Sequence, residues 1–232
     1  MSTDARLAFQ GFGPKAFAFL KDLDAHQNRD WFEAHKDIYE RELKAPMSAL
    51  VSSLGLALAA QGIDLACDPK RALFRIHRDV RFSKDKRPYK THIGASMTRD
   101  GERLAPGLLY VHVDPKGSFV ASGFFQPEPP VMQKLRQRIA ARPQEMRGIV
   151  AQLAKSGHEL TPDDDALKRT PRGFESVEDE DVVSLLRMKS LIVKQPLSRK
   201  VTGDGDAMIA AICEFAAAVQ PLLRFGWAAI AA

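Results

Sequence analysis

The feature of this sequence that most constrains its fold is a change in hydrophobic periodicity near residue 72. Up to residue 62, apolar side chains recur every three or four positions, which is the spacing of amphipathic helices. From residue 72 to residue 82, apolar and polar side chains alternate, which is typical of a strand with one buried face. The pattern therefore predicts helices over residues 14–62 and a sheet over residues 72–125.

The rest of the chain predicts further strands and then more helices. Alternating residues at 93–97 and 109–113 predict two strands, and turn residues at 114–117 lead into another strand at 118–125. The predicted elements that follow are helices over 129–156, a loop over 157–180, and a closing strand and helix over 181–225. Short strands with tight connections favour antiparallel pairing. We expect a single α+β domain over residues 1–232, with an antiparallel sheet of about four to five strands flanked by N-terminal and C-terminal helices.

The net charge of +5 is concentrated in one segment. Residues 70–92 contain nine Lys and Arg residues and two Asp residues, so this segment carries +7 and the rest of the chain carries −2. A near-neutral protein with one basic segment indicates a local anion site more than a surface that coats nucleic acid. The segment also has few aromatic residues for stacking on bases, which makes nucleic-acid binding the weaker alternative.

Cysteine content and the lack of targeting patterns indicate a cytoplasmic protein. Two cysteines are too few for a disulfide framework. The N-terminus has no basic segment followed by an apolar core, and the longest apolar run is shorter than the ~20 residues of a membrane span. The six histidines have no spacing typical of metal ligands, and the common phosphate-loop, dinucleotide-binding and nucleophile motifs are absent. The sequence therefore predicts no membrane segment, no metal and no cofactor, and it leaves the oligomeric state open.

The polar face of the predicted first strand carries the most reactive side chains. Period-2 alternation, with strands paired in sequence order, places seven polar residues on one face: Arg75, His77, Asp79, Arg81, His92, Tyr110 and His112. Arginine forks suit phosphate or carboxylate groups, and a histidine can exchange a proton near neutral pH. The acid–base candidates are His77, Asp79, His92 and His112, with Asp79 expected to orient His77 or an arginine. The alternative interpretation is a solvated sheet face.

Cations around this face extend the predicted anion site. The predicted ligand-binding residues in this region are Arg75, Arg78, Arg81, Lys84, Lys86, Tyr89 and Lys90. Lys168, Arg169 and Arg172 follow the sheet in the chain and are predicted to close over the ligand. Because neighbouring like charges repel, such a cluster needs a bound anion, partner carboxylates or free solvent. The sequence predicts a small phosphate- or carboxylate-bearing ligand; the alternatives are an acidic protein partner for a basic patch, a nucleic acid, or a hydrated cationic loop.

Several motifs resemble a known protein family. They are Arg75, Arg78-Asp79, Arg81-Phe82, Asp85-Lys86 and Tyr89, with Asn28-Arg29-Asp30-Trp31-Phe32, Pro115-Lys116-Gly117-Ser118 and Leu167-Lys168-Arg169-Thr170-Pro171-Arg172-Gly173-Phe174. At these spacings the motifs closely resemble the signature of domain of unknown function 2461, a family found in bacteria and, within longer chains, in fungi. The resemblance covers nearly the whole chain and implies a single-domain protein, with no established activity to carry over.

Overall fold

The computed structural model describes residues 9–162 and 165–231. Its N-terminal part is helical and fills the range in which helices are predicted. The elements are α1 (Pro14–Ala25), α2 (Arg29–Ala34), α3 (Lys36–Tyr39), a π-helical turn (Glu40–Lys44), α4 (Ala45–Ala60) and α5 (Pro69–Ala72). Pro14 lies in the first turn of α1, where backbone N–H groups have no intrahelical partner, so the missing N–H of proline costs no hydrogen bond. Asn28 begins α2, because its side-chain oxygen accepts a hydrogen bond from the Trp31 N–H at 2.9 Å.

Within the described residues, four strands form one antiparallel sheet in the order β1-β2-β3-β4. They are β1 (Ile93–Thr98), β2 (Leu108–Val113), β3 (Ser118–Phe124) and β4 (Leu191–Leu197). The register places Gly94, His112, Phe119 and Pro196 side by side across the sheet. Alternate residues of β2 are buried, so one face of this strand packs on the core. The predicted α+β class, with an antiparallel sheet of about four to five strands between helical regions, is confirmed.

The sheet does not begin at residue 72, and the prediction of a regular strand over 72–82 is wrong. Residues 74–92, hereafter the basic loop, bond mainly to one another. The Arg78 N–H donates to the Pro88 carbonyl and the Lys90 N–H donates to the Ile76 carbonyl, each at 2.8 Å. The loop joins the sheet where the Phe74 N–H donates to a carbonyl of β1 at 3.0 Å. The segment is therefore an extended, irregular hairpin at the β1 edge.

Side-chain alternation in the basic loop follows the predicted faces over part of its length. Ile76 is buried, whereas the predicted polar residues of this segment are exposed: Arg75, His77, Asp79 and Arg81. Phe82, on the predicted apolar face, is 95% exposed. The alternation of apolar and polar residues thus predicts which side chains are buried near the sheet, but it does not predict burial at the tip of the loop.

Within the described residues, the C-terminal half contributes five helices, of which the last packs on the sheet and the others pack on that helix or on one another. The five helices are α6 (Pro129–Ala141), α7 (Pro143–Lys155), α8 (Glu180–Arg187), α9 (Arg199–Thr202) and α10 (Gly205–Ala231). α10 lies directly against β3, because a Cβ atom at Gly226 would stand 2.1 Å from the Cζ of Phe124. Buried side chains from the N-terminal helices, the sheet and α10 form one hydrophobic core.

In the part of the chain that the structure describes, two helical stretches are long and apolar enough, by length and composition, to span a membrane: Lys36–Ala60 and Gly205–Ala231. The core helices of soluble proteins often meet the same criteria, so the observation is a weak indication. In α10, the apolar residues Phe215, Val219 and Leu222 are buried in the core.

Candidate functional site

A cleft of about 430 Å³ lies between the N-terminal helices and the start of the basic loop. Its apolar surface comes from Phe32, Tyr39, Leu73, Phe74 and Ile76. The charged residues that line it are Glu33, Lys36, Glu40, Lys44, Lys70, Arg75 and Arg103. His77 also lines the cleft, so two of the predicted site residues, Arg75 and His77, reach it. The basic loop and helices α2 to α5 together position this mixture of apolar and charged groups.

The carboxylates of the cleft are already paired with lysines on their own helical segment. Glu33 lies 3.4 Å from the Lys36 ammonium, and Glu40 lies 2.8 Å from that of Lys44. Lys70, Arg75 and Arg103 have no carboxylate partner within the described parts of the chain. The cleft therefore keeps an excess of three positive charges.

Phe74 forms a wall of the cleft between two cations. The Lys90 ammonium lies 5.3 Å from the centre of its ring, and the Arg103 guanidinium lies 5.4 Å from it, both within cation–π range. Burial lowers the pKa of Lys90, and the positive charges of Arg103 and Arg75 lower it further. The Arg103 guanidinium is also held in place, because its Nε–H donates to the Arg71 carbonyl at 2.9 Å.

Tyr39 contributes a phenol that stays protonated in this cleft. Burial, with the negative charge of Glu40, raises the pKa of Tyr39 to about 12. The neutral hydroxyl can therefore donate a hydrogen bond throughout the physiological pH range. Neither Tyr39 nor Arg103 is recognisable as a site residue from the sequence, because both lie outside the basic segment.

At the tip of the basic loop, two predicted ligand-binding cations, Arg78 and Arg81, are neutralised within the loop itself. Asp85 accepts from Arg78 at 2.5 Å and from Arg87 at 2.8 Å, and these two hydrogen bonds hold the pKa of Asp85 far below its usual range. Asp79 accepts from Arg81 at 2.7 Å and does not contact His77 through any hydrogen bond among the described residues. Arg78, Arg81 and Arg87 therefore bind carboxylates of the loop and do not line the cleft.

The other predicted residues of the loop have structural contacts or face solvent. The Lys86 ammonium donates to the Val80 carbonyl at 2.9 Å, and Lys84 is exposed. Tyr89 is buried and stacks on Phe32, with ring centres 4.5 Å apart. Burial also raises the pKa of the Tyr89 phenol. Tyr89 therefore fastens the loop to α2 and does not face the cleft.

Lys168, Arg169 and Arg172 do not close over the cleft. Leu160 forms a β-bridge with Val193 of β4, so this part of the chain lies at the edge of the sheet opposite β1. The Leu167 N–H donates to the carbonyl of Arg187, the last residue of α8, at 2.8 Å. All four strands of the sheet lie between this edge and the basic loop, which explains why the predicted closure is wrong.

His92 and His112 lie together on the sheet, apart from His77 and Asp79. β1 and β2 bring their rings to 4.2 Å between centres. The Tyr110 hydroxyl lies 3.0 Å from His112 Nδ1, and His112 Nε2 lies 3.6 Å from an Asp114 oxygen. Burial lowers the pKa of both imidazoles, and it is the main cause in each case; the pKa of His112 falls to about 4. The positive charge of Lys90 lowers the pKa of His92 further, and His92 does the same to His112.

Asp114 is the residue of this group that sequence reasoning missed. Its position before Pro115 and Gly117 indicates a turn, and its carboxylate does accept a hydrogen bond from the Lys116 N–H at 2.7 Å. The strand register is the signal that reveals its second role, because the β1–β2 pair ends with Ile93 opposite Val113, and residues 92 and 114 are the next positions on the two strands. The two histidines and Asp114 therefore converge although their spacing along the chain matches no ligand motif.

The comparisons with known proteins give one match. A family model described as "Conserved hypothetical protein (DUF2461)" matches residues 15–225. No curated protein and no solved structure matches the chain.

Proposed function

We propose that this protein, which belongs to the DUF2461 family of conserved hypothetical proteins, binds a small organic anion in the cleft between its N-terminal helices and the basic loop. The observation that carries the proposal is the excess of positive charge in that cleft. Lys70, Arg75 and Arg103 line it without a paired carboxylate among the described residues. A phosphate or carboxylate group would relieve the repulsion among these cations and accept hydrogen bonds from the arginine forks.

The apolar surface of the cleft supports a ligand with an apolar or aromatic body. Phe32 and Phe74 line the cleft together with the anion-binding cations. A volume of about 430 Å³ falls within the range of small-molecule sites. Burying roughly 60 Å² of ligand apolar area at about 25 cal/mol per Å² contributes about 1.5 kcal/mol, or roughly tenfold in affinity. Phenyl phosphate should therefore bind about ten times more tightly than inorganic phosphate.

The test is thermal denaturation of the full chain with phosphate, pyrophosphate or phenyl phosphate, against chloride at equal ionic strength. A ligand that binds only the folded state at one hundred times its Kd raises the free energy of unfolding by about 2.7 kcal/mol. Since multivalent anions also stabilise proteins by exclusion from the surface, the comparison must include variants. In the double variant Lys70→Gln and Arg75→Gln we expect the specific rise in Tm to disappear.

The matched control is Arg81→Gln, which removes one cation from the same basic loop. Arg81 is paired with Asp79 and does not line the cleft, so this variant should respond to anions as the wild type does. Equal responses of the wild type and the double variant would contradict the proposal. An oligonucleotide that stabilises the protein more than phenyl phosphate would favour nucleic-acid binding instead.

A second candidate function is the docking of an acidic protein partner at the tip of the basic loop. The observation that favours it is Phe82, which is 95% exposed beside the Arg81 guanidinium. An exposed aromatic side chain among cations is a common anchor at protein interfaces. Fluorescence anisotropy of labelled acidic peptides that contain aromatic residues provides the test, and Phe82→Ser should weaken binding at least about tenfold. Equal affinity of Phe82→Ser and wild type would contradict docking at this tip.

A further inference from the structure

His92, His112 and Asp114 bring three potential metal-ligand atoms close together. One ligand atom from each side chain lies within 4.8 Å of the other two. The three residues come from the approach to β1, from β2 and from the turn after β2, so the sheet register holds their backbones at fixed positions. All three side chains are partly buried. Convergence here is a property of the sheet and does not depend on a flexible loop tip.

We propose that His92, His112 and Asp114 form a binding site for a divalent transition-metal ion. Two imidazole nitrogens and one carboxylate oxygen are a ligand set that zinc and other first-row divalent ions take in proteins. The His112 Nε2 and the Asp114 oxygen are 3.6 Å apart, which is longer than an ordinary N–H···O hydrogen bond. Two ligands on a tetrahedral ion with bonds of about 2.1 Å would stand ~3.4 Å apart, so the observed separation suits an ion between them.

Tyr110 orients His112 for this role. The Tyr110 hydroxyl lies 3.0 Å from Nδ1 of His112. When Nδ1–H donates to this hydroxyl, the lone pair of Nε2 is directed at the Asp114 carboxylate and the proposed ion. Phe119 stacks on the imidazole at 4.5 Å between ring centres and limits its rotation. A hydrogen-bonded partner behind a ligating histidine is a usual part of protein metal sites.

The surroundings indicate what the remaining coordination positions would hold. Three protein ligands leave at least one position of a tetrahedral ion open. The side chains of His112 and Asp114 keep exposures of 14% and 12%, so solvent can reach this position. The positive charges of Lys90 and Lys194 act on the two histidines. These charges would weaken the binding of a bare metal cation. They would favour a metal ion that carries an anionic fourth ligand, such as hydroxide or a carboxylate.

Binding of Zn²⁺ and Co²⁺ to the full, EDTA-treated chain tests the site. We expect one equivalent of Co²⁺ to produce visible absorption bands and to be displaced by Zn²⁺. His92→Gln and Asp114→Asn should each weaken Zn²⁺ binding by more than about 100-fold, since each removes a ligand and not only an outer-shell contact. Asp114→Asn keeps an oxygen that can accept from the Lys116 N–H, so this variant should fold even if another does not. The control is His26→Gln, which removes an exposed histidine outside the site and should bind as the wild type does.

Tyr110→Phe distinguishes a positioning residue from a ligand. It should reduce Zn²⁺ affinity about 10- to 100-fold, while the Co²⁺ complex still forms with shifted bands. No saturable binding to the wild type would overturn the proposal, and so would equal affinities of the wild type, His92→Gln and Asp114→Asn. The cleft variants Lys70→Gln and Arg75→Gln should bind the metal normally, so the outcome is independent of the anion proposal.

Discussion

Replacing Gly94 by alanine should destabilise the fold, because β1 approaches the Tyr110 ring where Gly94 has no side chain. A Cβ at this position would lie 2.6 Å from the Tyr110 hydroxyl oxygen and 3.0 Å from two ring carbons. The ring cannot move freely, since Phe74 and Phe119 flank it with centres 5.8 and 5.9 Å away. Overpacking of this kind costs about 1–3 kcal/mol. Loss of the Tyr110–His112 hydrogen bond adds about 1 kcal/mol, for a total of about 2–4 kcal/mol.

Urea denaturation followed by tryptophan fluorescence measures this loss, and a double-mutant cycle with Tyr110→Ala assigns its cause. In the Tyr110→Ala background the space beside residue 94 is open. Gly94→Ala should then be neutral or should stabilise the strand by up to about 1 kcal/mol. As a matched control, Gly148→Ala adds a methyl group in α7 with no neighbouring atom within 4 Å and should stabilise the protein by about 0.5–1 kcal/mol. An equal loss from Gly94→Ala in both backgrounds would refute the steric explanation.

Two further predictions concern titratable groups. Because Arg78 and Arg87 lower the pKa of Asp85 in the folded state, its stabilising contribution is present above the usual value of 3.8 and is lost as the pH falls below it. The difference in Tm between wild type and Asp85→Asn should therefore be largest near neutral pH and shrink under acid; a constant difference would contradict this. Burial raises the pKa of Cys67 to about 11 and also raises that of Cys213, so both thiols should react slowly with a disulfide reagent in the native protein and rapidly in urea. Fast reaction of either thiol in the native state would count against its burial.

Regular elements could be predicted because local patterns specify them. Prolines at 129 and 143 lie in the first turns of α6 and α7, where proline is favoured. The turn at 114–117 joins β2, in which alternate residues are buried, to β3, which is buried along nearly its whole length. Each of these signals depends on only a few neighbouring residues. The helices and antiparallel strands lie close to the positions that the signals predict.

The strand predicted for the basic loop is wrong because the alternation of apolar and polar residues indicates which side chains are buried, and does not indicate which backbone groups are hydrogen-bonded to a neighbouring strand. An irregular hairpin that pairs residue 78 with residue 88 satisfies the same alternation near Ile76. The neutralisation of Arg78 by Asp85 depends on this hairpin as well, and it removes a predicted ligand-binding cation. Net charge along the segment therefore overstates the charge available to a ligand.

The candidate sites combine residues that only the tertiary structure brings together. Arg103 reaches the cleft from the connection between β1 and β2, about 30 residues after Lys70 and Arg75. His92 and His112 could be placed on one face from sequence order alone. Their approach to Asp114 requires the register of β1 against β2, which the sequence pattern does not specify.

Anomalous diffraction from crystals grown with selenate would test the central claim, anion binding in the cleft, most directly. Selenate is a tetrahedral dianion like sulfate, and its selenium atom can be located without a model of the ligand. If the cleft binds anions, an anomalous peak will lie inside it beside Arg75 or Arg103, and the peak will be lost in the Lys70→Gln and Arg75→Gln double variant. Peaks only at the tip of the basic loop, around Arg81 and Arg87, or an empty cleft at saturating selenate would contradict the account.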